Sequence, residues 1–342
     1  MRVFKMRKED LREYLESLKK VGELWAPVRK GEKFVYDKID DVDKVELKAL
    51  RTILPPKKFF IPQRNTVLKY RLNNEYSDPV EEVPFRILFG LHPCDINGLL
   101  ILDRIYLERF PDPLYKKRRE NTAIIGLSCV PDEKCLGKST NTHYVEEGFD
   151  IALTDLEDKY LVWVSSSLGD DLVRYRIDLF DENITEDDMK QYVSWRNWRD
   201  SQYKLYYDLT GMPDIMVLSW DSPLWEELAN DCLSCGMCSM VCPTCPCYNV
   251  KDITELSSDE GERIRYWDSC MYREFALVAG GHNFREARAE RIKLWYTHKL
   301  KSFGHEFGKP ACVGCGRCID TCPADINVAR VIKALKGEEV KV

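Results

Sequence analysis

Two cysteine runs constrain the fold of this 342-residue chain more than any other feature. Residues 232–243 and 312–323 share the spacing C-x2-C-x2-C-x3-C, and each run ends in a proline. Bacterial ferredoxins use this spacing to hold 4Fe–4S clusters, because three cysteines on one tight loop can reach three irons. Gly236 and Gly316 follow the second cysteine of each loop. We expect positive φ at both, so that backbone N–H groups can point at cluster sulfurs.

The fourth cysteine of each run is expected to bind the cluster of the other run. The proline after it lacks an N–H group and favours an extended backbone, so the chain can bring a thiolate to the neighbouring loop. A zinc module is the alternative, but zinc ribbons join two C-x2-C pairs across a longer gap. The predicted ligands are Cys232, Cys235, Cys238 and Cys322 for cluster one, and Cys312, Cys315, Cys318 and Cys242 for cluster two.

Three more cysteines come after two predicted buried strands. Cys94 lies just after the first strand, Cys129 follows the second, and Cys135 comes six residues later. Adjacent strands bring their ends together, so these three thiols predict a third 4Fe–4S cluster that needs one more ligand. Asp95 is the predicted fourth ligand, with His92 or solvent as alternatives. Free buried cysteines are the alternative to a third site, because cysteine packs well as a small hydrophobic side chain.

Cys245, Cys247 and Cys270 lie outside these three sets. They could bind a further metal, or they could pack near the clusters as buried thiols. Buried thiols are the favoured interpretation.

Composition and charge favour a cytoplasmic redox protein. No secretory signal is recognised, and no segment approaches the roughly 18 apolar residues of a membrane span. Clustered cysteines in a reducing compartment more often bind metal than form disulfides. The net charge of −6 argues against a nucleic-acid partner. No dinucleotide loop, P-loop or hydrolase motif is present, so the chain is predicted to carry electrons without a catalytic centre of its own.

The pattern of elements predicts an α+β fold. Apolar residues at helical spacing indicate a helix near residues 11–18, and adjacent prolines exclude helix at 51–62. Apolar runs predict buried strands at 85–91 and 122–128 with a helix between them, and a hairpin at 148–167 that turns near 157–159. The predicted domains are a mixed α/β domain at 1–190, a helical connection at 191–230 and a ferredoxin-like domain at 231–342 with a helical insertion.

Several segments of the chain resemble one kind of subunit. They are "FGLHPCDINGLLILDRIYLERFPDPLYKKRREN", "IIGLSCVPDEKC", "CPTCPCYNVKDI", "WDSC", "GGHNFR" and "CVGCGRCIDTCPADI". Over nearly the whole chain they resemble the beta subunits of soluble NAD(P)-linked nickel–iron hydrogenases (sulfhydrogenases), and they are similar also to the corresponding subunits of anaerobic sulfite reductases. The resemblance implies a relay of electrons between a partner that binds flavin and NAD(P)H and a partner that holds the catalytic nickel–iron or sirohaem site.

The chain departs from this family after Cys135. The family often has C-x-C there, whereas this chain has Gly137 at the second cysteine position. The resemblance therefore implies that Asp95 must complete the third cluster, or that the cluster is labile or absent. Two other functions compete with an electron relay. One is an enzyme that reduces sulfur or sulfite at an exposed cluster, and the other is a structural zinc scaffold.

Overall fold

The computed structural model describes residues 1–73, 75–79, 82–254, 257–304 and 308–337. Residues 338–342, the end of the predicted ferredoxin-like domain, lie outside these ranges. The strands are β1 (Arg2–Arg7), β2 (Glu23–Lys30), β3 (Lys33–Lys38), β4 (Arg64–Arg71), β5 (Glu75–Ser77), β6 (Arg86–Leu91), β7 (Thr122–Leu127), β8 (Ile151–Asp155), β9 (Lys159–Val164), β10 (Tyr248–Thr254) and β11 (Glu260–Trp267). The helices are α1 (Asp10–Leu18), α2 (Pro93–Asp103), α3 (Pro113–Glu120), α4 (Ser167–Arg174), α5 (Glu186–Ser201), α6 (Met212–Leu218), α7 (Leu224–Asp231), α8 (Met237–Met240), α9 (Arg288–Thr297), α10 (Arg317–Thr321) and α11 (Val328–Lys336).

A seven-stranded mixed sheet forms the centre of the first half, in the order β1-β9-β8-β7-β6-β2-β3. Strands β6 and β7 lie inside it and pair in parallel, and their continuous apolar runs are buried as such inner strands require. The predicted strands, the helix near residue 11 and the hairpin of β8 and β9 are confirmed. The carboxyl ends of β6 and β7 meet at one edge of the sheet, which is where Cys94 and Cys129 follow.

A second sheet combines strands from both halves of the chain, in the order β10-β11-β4-β5. The prediction of a helical insertion is therefore wrong over residues 248–267, which form an antiparallel hairpin. The charged residues that suggested a helix face outward as cross-strand pairs, since Arg263 donates to Asp252 at 2.7 and 2.9 Å. Strand β11 also pairs with β4, so the predicted domains at 1–190 and 231–342 share a sheet.

The helices of the second half form their own apolar core. Segment 191–230, the predicted helical connection, contains most of α5, all of α6 and most of α7. A capping box at Thr185 and Asp188 starts α5. None of the helices in the described ranges is long and apolar enough to cross a membrane. The most buried apolar residues of this core include Trp225, Leu228, Ile292, Tyr296, Val331 and Ile332.

The two halves are interlocked around the cysteine loops. The Leu136 amide donates to the Gly314 carbonyl at 2.8 Å, which ties a loop after β7 to the second cysteine run. A Cβ atom on Gly98 in α2 would lie 2.9 Å from Pro243 Cβ. The proline that ends the first run therefore packs directly on the helix that carries Cys94.

Candidate metal centres

The two cysteine loops have the same backbone conformation. Gly236 and Gly316 adopt the predicted positive φ, at 72° and 74°. The residues two positions earlier are also left-handed, with φ of 51° at Ser234 and 59° at Gly314. Each loop then enters a short helix, α8 after Gly236 and α10 after Gly316. The repeat in sequence is therefore a repeat in structure.

Backbone N–H groups point at cysteine sulfurs in both runs. Such contacts stabilise thiolates and orient them towards a metal centre. They are the expected surroundings of a 4Fe–4S cluster held by a tight loop. The donor and acceptor pairs are Ser234 N with Cys232 Sγ at 3.4 Å, Gly314 N with Cys312 Sγ at 3.5 Å, and Ile326 N with Cys322 Sγ at 3.3 Å.

The close packing of Gly236 makes a testable prediction. A Cβ atom there would lie 2.6 Å from the Tyr272 ring, and positive φ alone strains an L residue by about 1–2 kcal/mol. We expect Gly236→Ala to lower iron content by about four irons per chain, as cluster one is lost. Gly211→Ala is the control, because Gly211 has φ 71° but no atom within 4 Å of its Cβ position. Equal iron content in the two variants would contradict this role for Gly236.

Cysteines of both runs line one cavity of about 40 Å³. Three come from the first loop, and the fourth is Cys322 from the second run. Four thiols with apolar walls fit a 4Fe–4S cluster, and they are the four residues that the sequence predicts for cluster one. Cys235 is exposed, so this site reaches the surface. The other lining residues include Met271, Ile292, Trp295, Tyr296 and Ile326.

The second predicted set lies deeper in the molecule. Burial and the neighbouring thiols of Cys315 and Cys242 together raise the pKa of Cys312 to about 12, against the lowering effect of the Gly314 amide. Burial likewise raises the pKa of Cys318, and Cys312, Cys315 and Cys242 again add to the effect. Cys242 is therefore within electrostatic reach of the second loop, as the predicted exchange requires. Buried thiols this close to one another can all lose their protons only if a positive charge lies among them. Iron bound to the sulfurs would supply that charge.

Across the described ranges, no group of three or more His, Cys, Asp or Glu side chains is placed to hold a single metal ion. Each cysteine of a 4Fe–4S cluster binds a different iron, whereas a structural zinc holds all of its thiolates at about 2.3 Å from one point.

The third predicted set lies at the carboxyl ends of β6 and β7. The structure brings Cys94, Cys129 and Cys135 into one buried region. Burial is the main cause that raises the pKa of Cys135 to about 12 and that of Cys94 well above its usual value, and the Cys129 thiol contributes to both. The three thiols therefore act on one another, as predicted for strand ends that meet.

His92 is positively charged in this region. Its Nδ1 lies 2.9 Å from the Leu127 carbonyl and its Nε2 lies 3.0 Å from the Ala49 carbonyl. A carbonyl only accepts, so both ring nitrogens carry protons and neither can bind a metal. A buried cation needs an anion. Burial alone would raise the pKa of Cys129, but His92 and Arg199 lower it below its usual value.

Arg51 joins the third set to the second loop. Its guanidinium donates to Asp132 at 2.5 and 2.7 Å and to Cys135 Sγ at 3.3 Å. Its Nε donates to the Cys315 carbonyl at 3.0 Å. A charge-assisted bond to sulfur favours the thiolate of Cys135. The same side chain thus contacts residues of two predicted cluster sites.

Asp95 is the partner of a buried arginine. Arg317 donates to its two carboxylate oxygens at 2.7 and 3.1 Å, and both side chains are only 3% exposed. Arg317 also donates to the Thr52 carbonyl at 3.0 Å. The carboxylate therefore compensates a buried guanidinium. This is a different role from the ligand role that the sequence predicts for Asp95.

The remaining thiols lie around two buried lysines. Cys245 is close to Cys242, and Cys247 is close to Cys270, so that the thiols of each pair shift each other's pKa. Lys299 Nζ donates to Thr244 Oγ1 at 2.7 Å, and that hydroxyl lies 3.2 Å from Cys242 Sγ. The interpretation of these three cysteines as thiols packed near the clusters stays a prediction.

Sequence reasoning missed the buried cations around the cysteines. One signal was available, because Arg317 stands inside the second C-x2-C motif where the first motif has Met237. The others are far from any cysteine motif, so the sequence alone does not connect them to the sites. The missed residues are Arg51, Lys57, Arg199, Lys299 and Arg317.

Comparison with known proteins agrees with this geometry. A family model described as a 4Fe–4S dicluster domain matches residues 231–326. The chain is 41% identical over 336 residues to sulfhydrogenase 2 subunit beta of Pyrococcus furiosus. The aligned residues cover 98% of this chain and 99% of the relative. The chain belongs to the family of sulfhydrogenase beta subunits. Membership confirms the resemblance predicted from the sequence, and the matched domain supports 4Fe–4S clusters over zinc for the two runs.

Proposed function

We propose that this sulfhydrogenase-type beta subunit carries electrons within a hetero-oligomeric complex. Its partners are a subunit that binds flavin and NAD(P), together with a catalytic subunit such as a nickel–iron hydrogenase. The supporting observation is that three cysteine sets lie next to one another, with Cys235 of the first set exposed at the surface. A 4Fe–4S cluster accepts and releases one electron at a time. The chain would hold these clusters in a row.

Direct contacts join neighbouring sets. Cys94 of the third set and Cys315 of the second pack against the same small apolar cluster, and Arg51 contacts both sites. Cys238 of the first set in turn raises the pKa of Cys318 in the second, after burial and the other second-set thiols. The second set of cysteines therefore adjoins both of the others, which supports a linear path for electrons through the chain.

Cluster one is at an end of this path that a partner can reach. Cys235 is exposed, and Leu233 and Met237 beside it are 67% and 36% exposed. Exposed apolar side chains around a redox centre are typical of a contact surface. We infer that a partner subunit docks over this loop and exchanges electrons with cluster one.

The test is anaerobic purification of the complex that contains this chain. We expect about twelve irons in each beta chain, from three clusters. NAD(P)H should reduce them only while the flavin-binding partner is present, and dithionite should reduce them in the isolated chain. An isolated chain that contains zinc instead of iron, or one that shows no reducible cluster, would exclude the relay.

One observation favours a second function, a reductase site in the chain itself. A cleft of about 830 Å³ opens at the carboxyl ends of the central strands. Its lining includes Arg196, Arg199 and Lys309 together with acidic residues, and basic groups of this kind suit a small sulfur oxyanion or polysulfide. Turnover of sulfite or polysulfide by the isolated chain with dithionite would support this function. Reduction of the clusters without turnover would contradict the reductase function and support the electron relay.

A further inference from the structure

The third cysteine set lacks an identified fourth ligand. Three thiols bind three irons of a 4Fe–4S cluster, so one iron needs another donor. His92 is excluded because both of its ring nitrogens donate to carbonyl oxygens. Asp95 is engaged by Arg317 through both carboxylate oxygens. A protein donor for this iron would therefore come from another element that packs against the three thiols, and solvent is the alternative.

Tyr203 brings a hydroxyl group to this place. It lies just after α5, which also carries Arg199, and Arg199 Nη2 donates to the Tyr203 hydroxyl at 3.5 Å. The same guanidinium donates through Nε to the Cys129 carbonyl at 2.7 Å. The hydroxyl also lies 3.1 Å from the position of a Cβ atom on Gly137, two residues after Cys135. Arg199 thus links Tyr203 to Cys129, and the hydroxyl lies beside the loop that carries Cys135.

Arg199, beside Tyr203, is incompletely satisfied. Its side chain is 1% exposed, and its buried Nη1 lies 3.9 Å from Asp200 Oδ1 but makes no hydrogen bond within the part of the chain that the structure describes. A buried donor of this kind suits an anionic group beside it.

We propose that Tyr203 is the fourth ligand of the third 4Fe–4S cluster, bound through its phenolate oxygen alongside Cys94, Cys129 and Cys135. This inference rests on the proposed presence of that cluster. Binding forms one iron–oxygen bond and breaks the phenol O–H bond. The proton leaves to solvent through the cleft that Arg199 lines, and no electron is transferred in this step. Arg199 Nη1 then has an anionic cluster to donate to.

Tyr203→Phe tests the assignment because it removes only the oxygen. We expect the purified variant to fall from about twelve irons per chain to about eleven or eight, as the third cluster loses one iron or is lost entirely. The first case adds the EPR signal of an oxidised 3Fe–4S centre. Tyr207→Phe is the matched control. Tyr207 is a buried tyrosine on the same segment whose pKa is raised by burial alone, so its variant should keep all of the iron.

A second variant tests whether the ligand position itself matters. Gly137 does not need positive φ, and a Cβ atom there meets only the Tyr203 hydroxyl closely. Gly137→Cys in the Tyr203→Phe background should therefore place a thiol where the hydroxyl was and restore about twelve irons. Unchanged iron content and EPR spectra in Tyr203→Phe would overturn the inference. A wild-type chain with about eight irons would overturn it too, but would leave a two-cluster relay standing.

Discussion

Replacing Cys322 with alanine is expected to remove cluster one, although Cys322 belongs to the second run in sequence. Its sulfur lines the same cavity as the three cysteines of the first loop, and the Ile326 amide donates to it at 3.3 Å. Iron content should fall by about four per chain. The EPR spectrum of the reduced variant should match that of Cys235→Ala, because both changes remove a ligand of the same cluster.

The reciprocal variant completes this test. Cys242→Ala should match Cys315→Ala, since Cys242 belongs to the first run but lies with the second loop. Cys245→Ala is the control, because Cys245 is buried three residues further along and is not assigned to a cluster. A spectrum of Cys322→Ala that matches Cys315→Ala instead would show that each run keeps its own fourth cysteine. It would contradict the exchange.

The inner strands of the central sheet could be predicted from the sequence because short, continuous apolar runs are typical of buried strands. β6 and β7 are each a six-residue, largely apolar run that is buried on both faces of the sheet. The hairpin of β10 and β11 could not be recognised in the same way. Its side chains are largely polar, and its stability comes from pairing with β4, nearly two hundred residues earlier in the chain. Such long-range pairing leaves no local pattern.

In the cysteine sites, the ligands of the two runs could be predicted from the sequence, whereas the charged residues around them could not. The spacing of the two runs identifies their ligands, because a tight loop leaves few ways to hold a cluster. The charges around those ligands come from elements distant in sequence. Arg51 reaches Cys135 from the segment before β4, and Arg199 reaches Cys129 from α5. A residue such as Asp95, adjacent to a cysteine, is therefore the natural ligand to expect from the sequence, while the folded chain pairs it with Arg317.

This pairing of Asp95 predicts a large loss of stability when only one partner is removed. Asp95→Asn keeps the shape of the side chain but leaves the Arg317 guanidinium buried without its anion. Removing one partner of a buried ion pair typically costs about 3–5 kcal/mol. We expect a matching fall in the free energy of unfolding, measured by denaturant titration under anaerobic conditions, and Arg317→Met should be destabilised for the same reason.

The double variant Asp95→Asn/Arg317→Met separates charge pairing from iron binding. It places methionine where the first loop already has Met237, and it removes both buried charges together. Replacing a whole buried ion pair is often close to neutral, so we expect the double variant to recover most of the stability that either single variant loses, with iron content at the wild-type value. If Asp95 were an iron ligand, the double variant would still lack about four irons per chain, because methionine at 317 cannot restore a lost carboxylate. Recovery of stability together with full iron content would thus assign Asp95 to Arg317, and it would leave the fourth position of the third cluster to Tyr203.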